Sequence, residues 1–321
     1  MEVVVTGSVA FDYLMSFPGK FADHILPDQL HQISLSFLVE SMNKQRGGTA
    51  PNIAFNMGLL SGQPLMMATA GDDFGSYRTW LEAHGVNTAA TIEIPGEHCA
   101  SFFVNTDQDQ NQIASFYTGA MAYAGKLSFT EHAPTADIAI ISPNDPGAMQ
   151  KYVHEAKQIG LKYIYDPSQQ TIWLSGDDLL EGLDGCYMLT VNEYELGMIR
   201  EKTGLTNEEI YAKAHAVLVT KGKKGSVLTV DGEQYHIPIV PLYRMVEPTG
   251  AGDAYRAGLL RGIQLGLPWD ICGRMGALAS AYVLEEMGTQ AHSYTAGQFI
   301  ERYREHFDDE GALDILLEKS A

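Results

Sequence analysis

Twelve residues, EPTGAGDAYRAG from Glu247 to Gly258, place two glycines beside a single carboxylate. Gly250 and Gly252 allow a ligand to approach the backbone closely, because neither residue carries a Cβ atom. If a helix begins near Ala251, its first N–H groups have no partner within the helix and form a donor-rich hollow suited to a phosphate. Asp253 would repel a phosphate that merely binds there, so the stretch indicates chemistry beyond anion binding.

Two common nucleotide-binding motifs do not fit this stretch. A Walker loop requires GxxxxGK[ST], and a dinucleotide fingerprint requires a glycine where Tyr255 stands. Phosphoryl transfer to an alcohol does fit, because a carboxylate can accept the hydroxyl proton while backbone N–H groups neutralise the transferred group. The alternative is an ordinary first-turn acid attracted by the helix dipole, with both glycines in a turn.

The composition narrows the class of protein. The 321 residues are 45% hydrophobic, which is enough to bury a substantial core, and the formal net charge of −19 would repel a nucleic-acid backbone. The three cysteines, Cys99, Cys186 and Cys272, form no CxxC pair, so we expect buried thiols in a reduced, cytoplasmic compartment. We expect neither a signal peptide nor a membrane span, because the N-terminus lacks a basic segment and no apolar run is long enough.

Short apolar runs alternate with helix-like segments along the chain. Several runs are apolar at every position, which is typical of parallel strands buried on both faces. The alternation predicts a layered α/β fold around a mainly parallel sheet. The predicted strands are 3–6, 65–70, 138–142, 163–166, 187–191, 217–220 and 226–230, and the predicted helices are 51–60, 77–84, 146–160, 193–203, 250–265, 269–286 and 295–306.

Two segments, residues 13–42 and 91–118, interrupt this alternation. The first contains the alternating run HQISLSFLVE, and the second has two strand-like runs on either side of the polar residues 107–111. We interpret both as antiparallel strands that project from the main sheet and form a small lid inserted in a single domain, residues 1–321. The alternative is a pair of ordinary edge hairpins.

Five motifs resemble those of the ribokinase-like (PfkB) carbohydrate and nucleoside kinases and occur in that family's order. They are TGSVAFD near the N-terminus, RGGTAPNIAFNMGLLSG from Arg46, NEYE from Asn192, TKGKKG from Thr220 and EPTGAGD from Glu247. Further stretches, SLSFLV, QIASFYTGAM, YDPSQQ and MGTQ, resemble the bacterial adenosine kinases of this family. The resemblance implies a ribokinase-like three-layer α/β/α sandwich with a small β-strand lid. It also implies that Mg·ATP phosphorylates the 5′-hydroxyl of adenosine.

The resemblance assigns a role to individual residues of these motifs. Asp253 matches the catalytic base, and the N–H groups around Gly250, Ala251 and Gly252 match the anion hole. The positions that would hold the acceptor nucleoside are Ser8, Asp12, Ser36, Gly48, Asn52, Phe102, Gln112, Phe116, Gln169 and Gln170. The positions that would lie along ATP are Asn192, Thr220, Gly222, Gly225 and Arg256, and Glu195 would reach Mg²⁺ through water.

Several of these assignments have both physical support and a plain structural alternative. One carboxylate such as Asp12 can accept both protons of a cis-diol, or it could cap a turn. Phe102 and Phe116 could stack on a purine or fill a hairpin core. Asn192 and Glu195 have the spacing of a helix capping box, which is compatible with a role at the phosphates. Gly222 could mark an ordinary turn between two strands.

Two positions depart from the family's pattern. The final signature usually opens with Asp, whereas this chain has Glu247, which leaves a site for a monovalent cation such as K⁺ open. Trp173 stands where a basic residue is expected in the adenosine enzymes, which leaves the preferred base open. The alternatives are a kinase for another nucleoside or for a sugar, and a non-catalytic nucleoside or nucleotide sensor. Exposed edges of the lid strands would also allow a homodimer.

Overall fold

A computed structural model describes residues 1–25, 32 and 34–318, and these residues form two sheets. The strands are β1 Val3–Thr6, β2 Ala10–Ser16, β3 Ser41–Gly47, β4 Leu65–Ala70, β5 Thr91–Glu93, β6 Ala100–Thr106, β7 Gln112–Tyr117, β8 Ile138–Ile141, β9 Lys162–Tyr165, β10 Met188–Asn192, β11 Ala216–Thr220, β12 Ser226–Val230 and β13 Glu233–Ile237. The main sheet has the order β13-β12-β11-β10-β9-β8-β1-β4-β5. It is parallel from β11 to β5, and β12 pairs antiparallel with β11 and β13.

Helices cover both faces of the main sheet. They are α1 Thr49–Leu59, α2 Gly75–Ala83, α3 Phe129–His132, α4 Pro146–Ile159, α5 Gly176–Leu183, α6 Glu193–Thr203, α7 Asn207–Tyr211, α8 Ala251–Leu265, α9 Trp269–Leu284, α10 Ala296–His306 and α11 Ile315–Glu318. Successive residues of β1 point to opposite faces. Val3 and Val5 pack in the core shared by α1, α2, α8, α9 and α10, whereas Val4 packs in the core shared by α4, α5, α6 and α7. The predicted three-layer sandwich is therefore confirmed.

The predicted elements of the main sheet lie where the apolar runs indicated. Three predicted strands coincide with β1, β4 and β12, and the other four differ by one residue at one or both ends. The strand after α4, for example, begins at Lys162, whose exposed side chain gave no apolar signal. All seven predicted helices are present, also with small shifts at their ends. Burial on both faces of the sheet is the reason that these strands were visible in the sequence.

The second sheet has the order β3-β2-β6-β7 and differs from the predicted lid in three respects. The strands are not all antiparallel, because β2 and β6 pair in parallel. Residues 91–93 form β5 in the main sheet, so the second sheet begins there only at Ala100. The run HQISLSFLVE lies partly outside the described residues, and residues 34–39 form no strand, whereas the polar run SMNKQRG forms β3.

In the part of the chain that the structure describes, we find no helix of the length and apolar character that crossing a membrane would require. The three cysteines are free and buried. Burial raises the pKa of the Cys99, Cys186 and Cys272 thiols to about 12, so they stay protonated at neutral pH. The expected compartment stays a prediction.

Candidate active site

The candidate site begins at the N-terminus of α8. Gly250 caps this helix with a left-handed φ of 82°, and a Cβ atom added there would lie 2.8 Å from Thr289 Cγ2. Both the backbone conformation and the available space therefore favour glycine at this position. The helix starts at Ala251, so the first-turn N–H groups have no acceptor within the helix.

A cavity of about 210 Å³ lies beside this helix end, at the carboxyl ends of β10 and β11. Ligands of open α/β sheets bind at that edge. The lining residues are Ser168, Gln169, Thr190, Val191, Asn192, Glu195, Leu218, Thr220, Gly250, Gly252, Asp253, Tyr255 and Arg256. Eight of them are residues that the sequence predicted for the site, from four separate motifs.

Asp253 forms part of the cavity wall with a side chain that is 14% exposed. Its Oδ2 accepts a hydrogen bond of 2.9 Å from Asn52 Nδ2, and its Oδ1 lies 3.7 Å from Arg256 Nη1. Burial raises the pKa of Asp253, while the positive charge of Arg256 and the bond from Asn52 lower it in part. A carboxylate with a raised pKa is a stronger base than an ordinary aspartate once it is deprotonated.

Arg256 is a buried member of the site and does not lie on the helix surface. Its side chain is 12% exposed, and Nη2 donates a hydrogen bond of 2.6 Å to Oδ1 of the fully buried Asp166. Among the described residues, Asp166 Oδ2 has no hydrogen-bond partner. Burial raises the pKa of Asp166 to about 7, against the opposing effect of Arg256. Asp166 was not predicted as a site residue, although it belongs to the YDPSQQ stretch that follows β9.

Asn192 and Glu195 form the capping box that their spacing predicted. Asn192 Oδ1 accepts from Glu195 N–H, and Glu195 Oε2 accepts from Asn192 N–H, both at 2.8 Å. Both residues also line the cavity, so the capping role is compatible with the predicted role at a ligand.

The end of β11 and the turn after it contain three predicted residues, of which one lies at the cavity. Thr220 lines the cavity, whereas Gly222 and Gly225 form the following turn with positive φ values of 54° and 81°. A Cβ atom on Gly225 would lie 2.2 Å from the main-chain oxygen of Ile237. Close packing against β13 therefore explains Gly225 without a ligand.

Three residues predicted to hold the sugar are close to one another. Gly48 has a φ of 94°, and a Cβ atom there would lie 2.4 Å from the main-chain oxygen of Ser8. Asn52 N–H donates to the main-chain oxygen of Gly48 at 3.1 Å, in the first turn of α1. Since Asn52 also contacts Asp253, the chain brings this group to the candidate base.

The second sheet carries an acid and two aromatic rings in one row. Asp12 on β2 pairs with Phe102 on β6, and Phe102 pairs with Phe116 on β7. Paired residues lie on the same face of a sheet, so these three side chains are neighbours. Phe116 is 52% exposed and does not fill a buried hairpin core. Burial, followed by the charges of Glu247 and Asp253, raises the pKa of Asp12 to about 6.

The remaining predicted residues lie at four different places. Gln112 lies on β7, on the face of Phe116, and donates to Thr106 Oγ1 at 3.4 Å. Ser36 is exposed in a segment without a strand. Gln169 lines the cavity together with the residues predicted for ATP. Gln170 Nε2 instead donates to the main-chain oxygen of Asn144 at 2.7 Å.

Comparison with known proteins shows the family of this chain. Residues 9–296 match the family model described as pfkB family carbohydrate kinase. The chain is 28% identical to a nucleoside kinase of Methanothermobacter thermautotrophicus over 94% of this chain and 95% of the relative. It is 28% identical to a cytidine kinase of Thermococcus kodakarensis over 75% of this chain and 88% of the relative.

Solved structures also resemble this fold over nearly the full chain. The nucleoside kinase of Burkholderia thailandensis in complex with inosine superposes with a TM-score of 0.84 at 33% identity, covering 95% of this chain and 98% of that chain. The complex of the same enzyme with ADP-inosine superposes with a TM-score of 0.83 at 35% identity, covering 95% of this chain and 96% of that chain. The fold is thus the ribokinase-like α/β fold, with a donor-lined cavity and one acid at the start of α8. The chain belongs to the pfkB family of carbohydrate kinases, as its motifs predicted.

Proposed function

We propose that this protein is an ATP-dependent nucleoside kinase that phosphorylates the 5′-hydroxyl of adenosine and releases AMP and ADP. The observation that carries the proposal is the Asp253 carboxylate in the wall of the cavity at the N-terminus of α8, held at 2.9 Å by Asn52. An acid at this place serves no purpose in static phosphate binding, but it is needed when an alcohol is the attacking group.

The proposed step is an in-line transfer. Asp253 accepts the proton of the 5′-hydroxyl, and the oxygen of that hydroxyl forms a bond to the γ-phosphorus of ATP. The bond from that phosphorus to the β,γ-bridging oxygen breaks, and ADP leaves with the electron pair. First-turn N–H groups near Gly250, Ala251 and Gly252, together with the Arg256 guanidinium, would stabilise the charge on the transferred group.

The acceptor class rests on the row formed by Asp12, Phe102 and Phe116. The carboxylate suits the cis-diol of a ribose, and the two aromatic rings suit a flat base, which a free sugar lacks. Inosine is the second candidate acceptor, because the Burkholderia thailandensis enzyme was solved with inosine. The similarity to a cytidine kinase makes cytidine a necessary member of any test panel.

The residues at the cavity fit a magnesium ion that arrives with the triphosphate. Within residues 1–25, 32 and 34–318, no group of three acid, histidine or cysteine side chains could hold a metal ion by itself. Glu195 lines the cavity with one carboxylate oxygen engaged in the capping box, which suits an outer contact through water. The ion would offset charge on the phosphates. A requirement for K⁺ beside Glu247 stays a prediction.

We further propose that the second sheet acts as a lid on a single kinase domain, since Asp12 on its β2 lies close enough to Glu247 and Asp253 for their charges to raise its pKa. Closure of such a lid would exclude water as a competing acceptor. On the other face of this sheet lie three exposed apolar residues, Met42, Phe103 and Ile113, whose exposed fractions are 63%, 38% and 44%. Those exposed side chains support the predicted homodimer through the lid, which stays a prediction.

An acceptor panel tests the proposal. The purified protein is assayed with Mg·ATP and adenosine, inosine, cytidine or ribose, and kcat/KM is measured for each. We expect the highest value for a purine nucleoside, with adenosine first. Ribose as the preferred acceptor would identify a sugar kinase, and tight adenosine binding without turnover would identify a sensor.

A further inference from the structure

Four consecutive hydrogen bonds connect the Asp253 carboxylate to the main chain of Gly47. Asn52 Nδ2 donates to Asp253 Oδ2, and Gln290 Nε2 donates to Asn52 Oδ1 at 2.9 Å. Gln290 Nε2 also donates to the Tyr77 hydroxyl oxygen in a short bond. The Tyr77 hydroxyl in turn donates to the main-chain oxygen of Gly47 at 3.0 Å.

The donor and acceptor of each bond follow from the last bond, which ends on the main-chain oxygen of Gly47. A main-chain carbonyl oxygen only accepts, so Tyr77 must give its single proton to Gly47. The Tyr77 oxygen is then left to accept, which requires the amide nitrogen of Gln290 on that side. The second N–H of the same nitrogen reaches Asn52 Oδ1. Asn52 is consequently left with its own nitrogen towards Asp253.

Reversing either amide would place two oxygens face to face. If Gln290 were reversed, its Oε1 would meet Asn52 Oδ1, and a compensating reversal of Asn52 would turn an oxygen towards the Asp253 carboxylate. Each such arrangement loses a hydrogen bond and adds a repulsive contact in a buried place, where both effects are strong.

Stability of the fold does not account for a glutamine at position 290. Tyr77, Asn52 and Gln290 are 0%, 4% and 7% exposed. Within the part of the chain that the structure describes, Gln290 Oε1 has no hydrogen-bond partner. A buried polar atom without a partner destabilises a protein, and an apolar side chain of similar size would avoid this cost.

We propose that Gln290 and Tyr77 are positioning residues that fix the Asn52 amide with its nitrogen towards the candidate base. This inference rests on the proposed role of Asp253 as the base. Because Asp253 Oδ2 holds the Asn52 N–H, Oδ1 is the oxygen that remains to accept the proton of the substrate hydroxyl. The relay, defined as Tyr77, Gln290 and Asn52, therefore selects which carboxylate oxygen does the chemistry.

The test uses Tyr77→Phe and Gln290→Met in the full-length protein, with kcat and nucleoside KM measured separately. The matched control is Tyr152→Phe, since Tyr152 is also fully buried and its hydroxyl donates to the main-chain oxygen of Ala124 at 2.6 Å in the other core. We expect Gln290→Met to lower kcat at least about tenfold and Tyr77→Phe about fivefold, as expected for loss of one or two oriented hydrogen bonds. Nucleoside KM should change less than kcat. The control should keep its native kcat with a Tm loss similar to that of Tyr77→Phe.

The double variant separates a relay from general destabilisation. Tyr77 acts only through Gln290 in this account, so Tyr77→Phe combined with Gln290→Met should have the kcat of Gln290→Met alone, within about twofold. If the loss of kcat in the double variant equalled the product of the two single losses, the relay would be wrong. A native kcat in Gln290→Met would also overturn it. Asp253→Asn, assayed in parallel, tests whether Asp253 is the base, whereas the acceptor panel tests the proposed function itself. If Asp253→Asn is inactive while Tyr77→Phe and Gln290→Met both keep the native kcat, only the relay is wrong. If Asp253→Asn is fully active, Asp253 is not the base and the relay loses its premise. If the native protein phosphorylates no nucleoside, the proposed function is wrong.

Discussion

Asn52 Nδ2 lies 2.9 Å from Asp253 Oδ2, although 201 residues separate the two in the chain. This contact joins the first turn of α1, which directly follows β3 of the second sheet, to the first turn of α8, which borders the cavity. The candidate base is therefore held from the side where the sugar is expected, and its other oxygen, Oδ1, lies 3.7 Å from Arg256 Nη1.

The left-handed cap of α8 gives a first prediction. Gly250→Ala should lower kcat strongly and reduce stability, because the new methyl group meets Thr289 and displaces the first-turn N–H groups. Gly266→Ala is the matched control, since Gly266 ends the same helix with a φ of 72° and has open space around its Cα. The control should lose about 1 kcal/mol of unfolding free energy from backbone strain and keep its activity. Equal kcat in the two variants would contradict the anion-hole role.

Arg256 should act mainly on ATP. Arg256→Met removes the guanidinium from the cavity and leaves Asp166 buried without its partner, so we expect KM for ATP to rise at least about tenfold together with a loss of kcat. Arg261→Met is the control, because Arg261 is buried on the same helix and bonds to the main-chain oxygen of Leu60. Steady-state kinetics with varied ATP decide the matter. The clamp would be excluded by an unchanged KM for ATP in a folded Arg256→Met protein.

The aromatic row should act on the nucleoside. Phe116→Ala should raise nucleoside KM about tenfold through loss of stacking, while Tm stays close to native because the ring is 52% exposed. Ile113→Ala, on the opposite face of β7 and 44% exposed, should leave KM unchanged. Ribose, if it is phosphorylated at all, should not distinguish the two variants. Equal effects of both substitutions on nucleoside KM would argue against stacking.

Asp12 should make stability depend on pH in a defined window. In the folded protein the pKa of Asp12 is about 6, above its ordinary value of 3.8, so the folded state binds this proton more tightly than the unfolded state does. The stabilisation is complete below about pH 4 and is lost as the pH rises through about 6. Native protein should thus lose Tm relative to Asp12→Asn between pH 4 and pH 7. A Tm difference between native protein and Asp12→Asn that does not change over this range would contradict the burial of the Asp12 carboxylate.

The sequence predicted the main sheet and the local motifs well because their signals are local. Buried parallel strands are continuous apolar runs, and the capping box of Asn192 and Glu195 needs only a spacing of three residues. The polar residues 107–111 also placed Phe102 and Phe116 at equal distances from the turn, which is the register that the hairpin adopts.

The parts that the sequence did not show depend on distant contacts or on polar strands. β3 is an edge strand whose SMNKQRG sequence has no apolar alternation, so the sequence pattern favours the preceding apolar run as the strand. Gln290 forms hydrogen bonds with Asn52 and Tyr77, which lie 238 and 213 positions away in the chain. Asp166 forms one with Arg256, 90 positions away. No spacing rule connects such residues. The stretches YDPSQQ and MGTQ contained the signal, but only folding brought their polar side chains to the site.

The central claim, that Asp253 removes the proton of the acceptor hydroxyl, is tested most directly by Asp253→Asn. The measurement pairs kcat with the nucleoside dissociation constant from calorimetry on the same protein. We predict a loss of kcat of about 10²- to 10⁴-fold with a dissociation constant within a few-fold of native, because an amide keeps the shape but cannot accept the proton. Turnover by Asp253→Asn at the native rate would contradict the account.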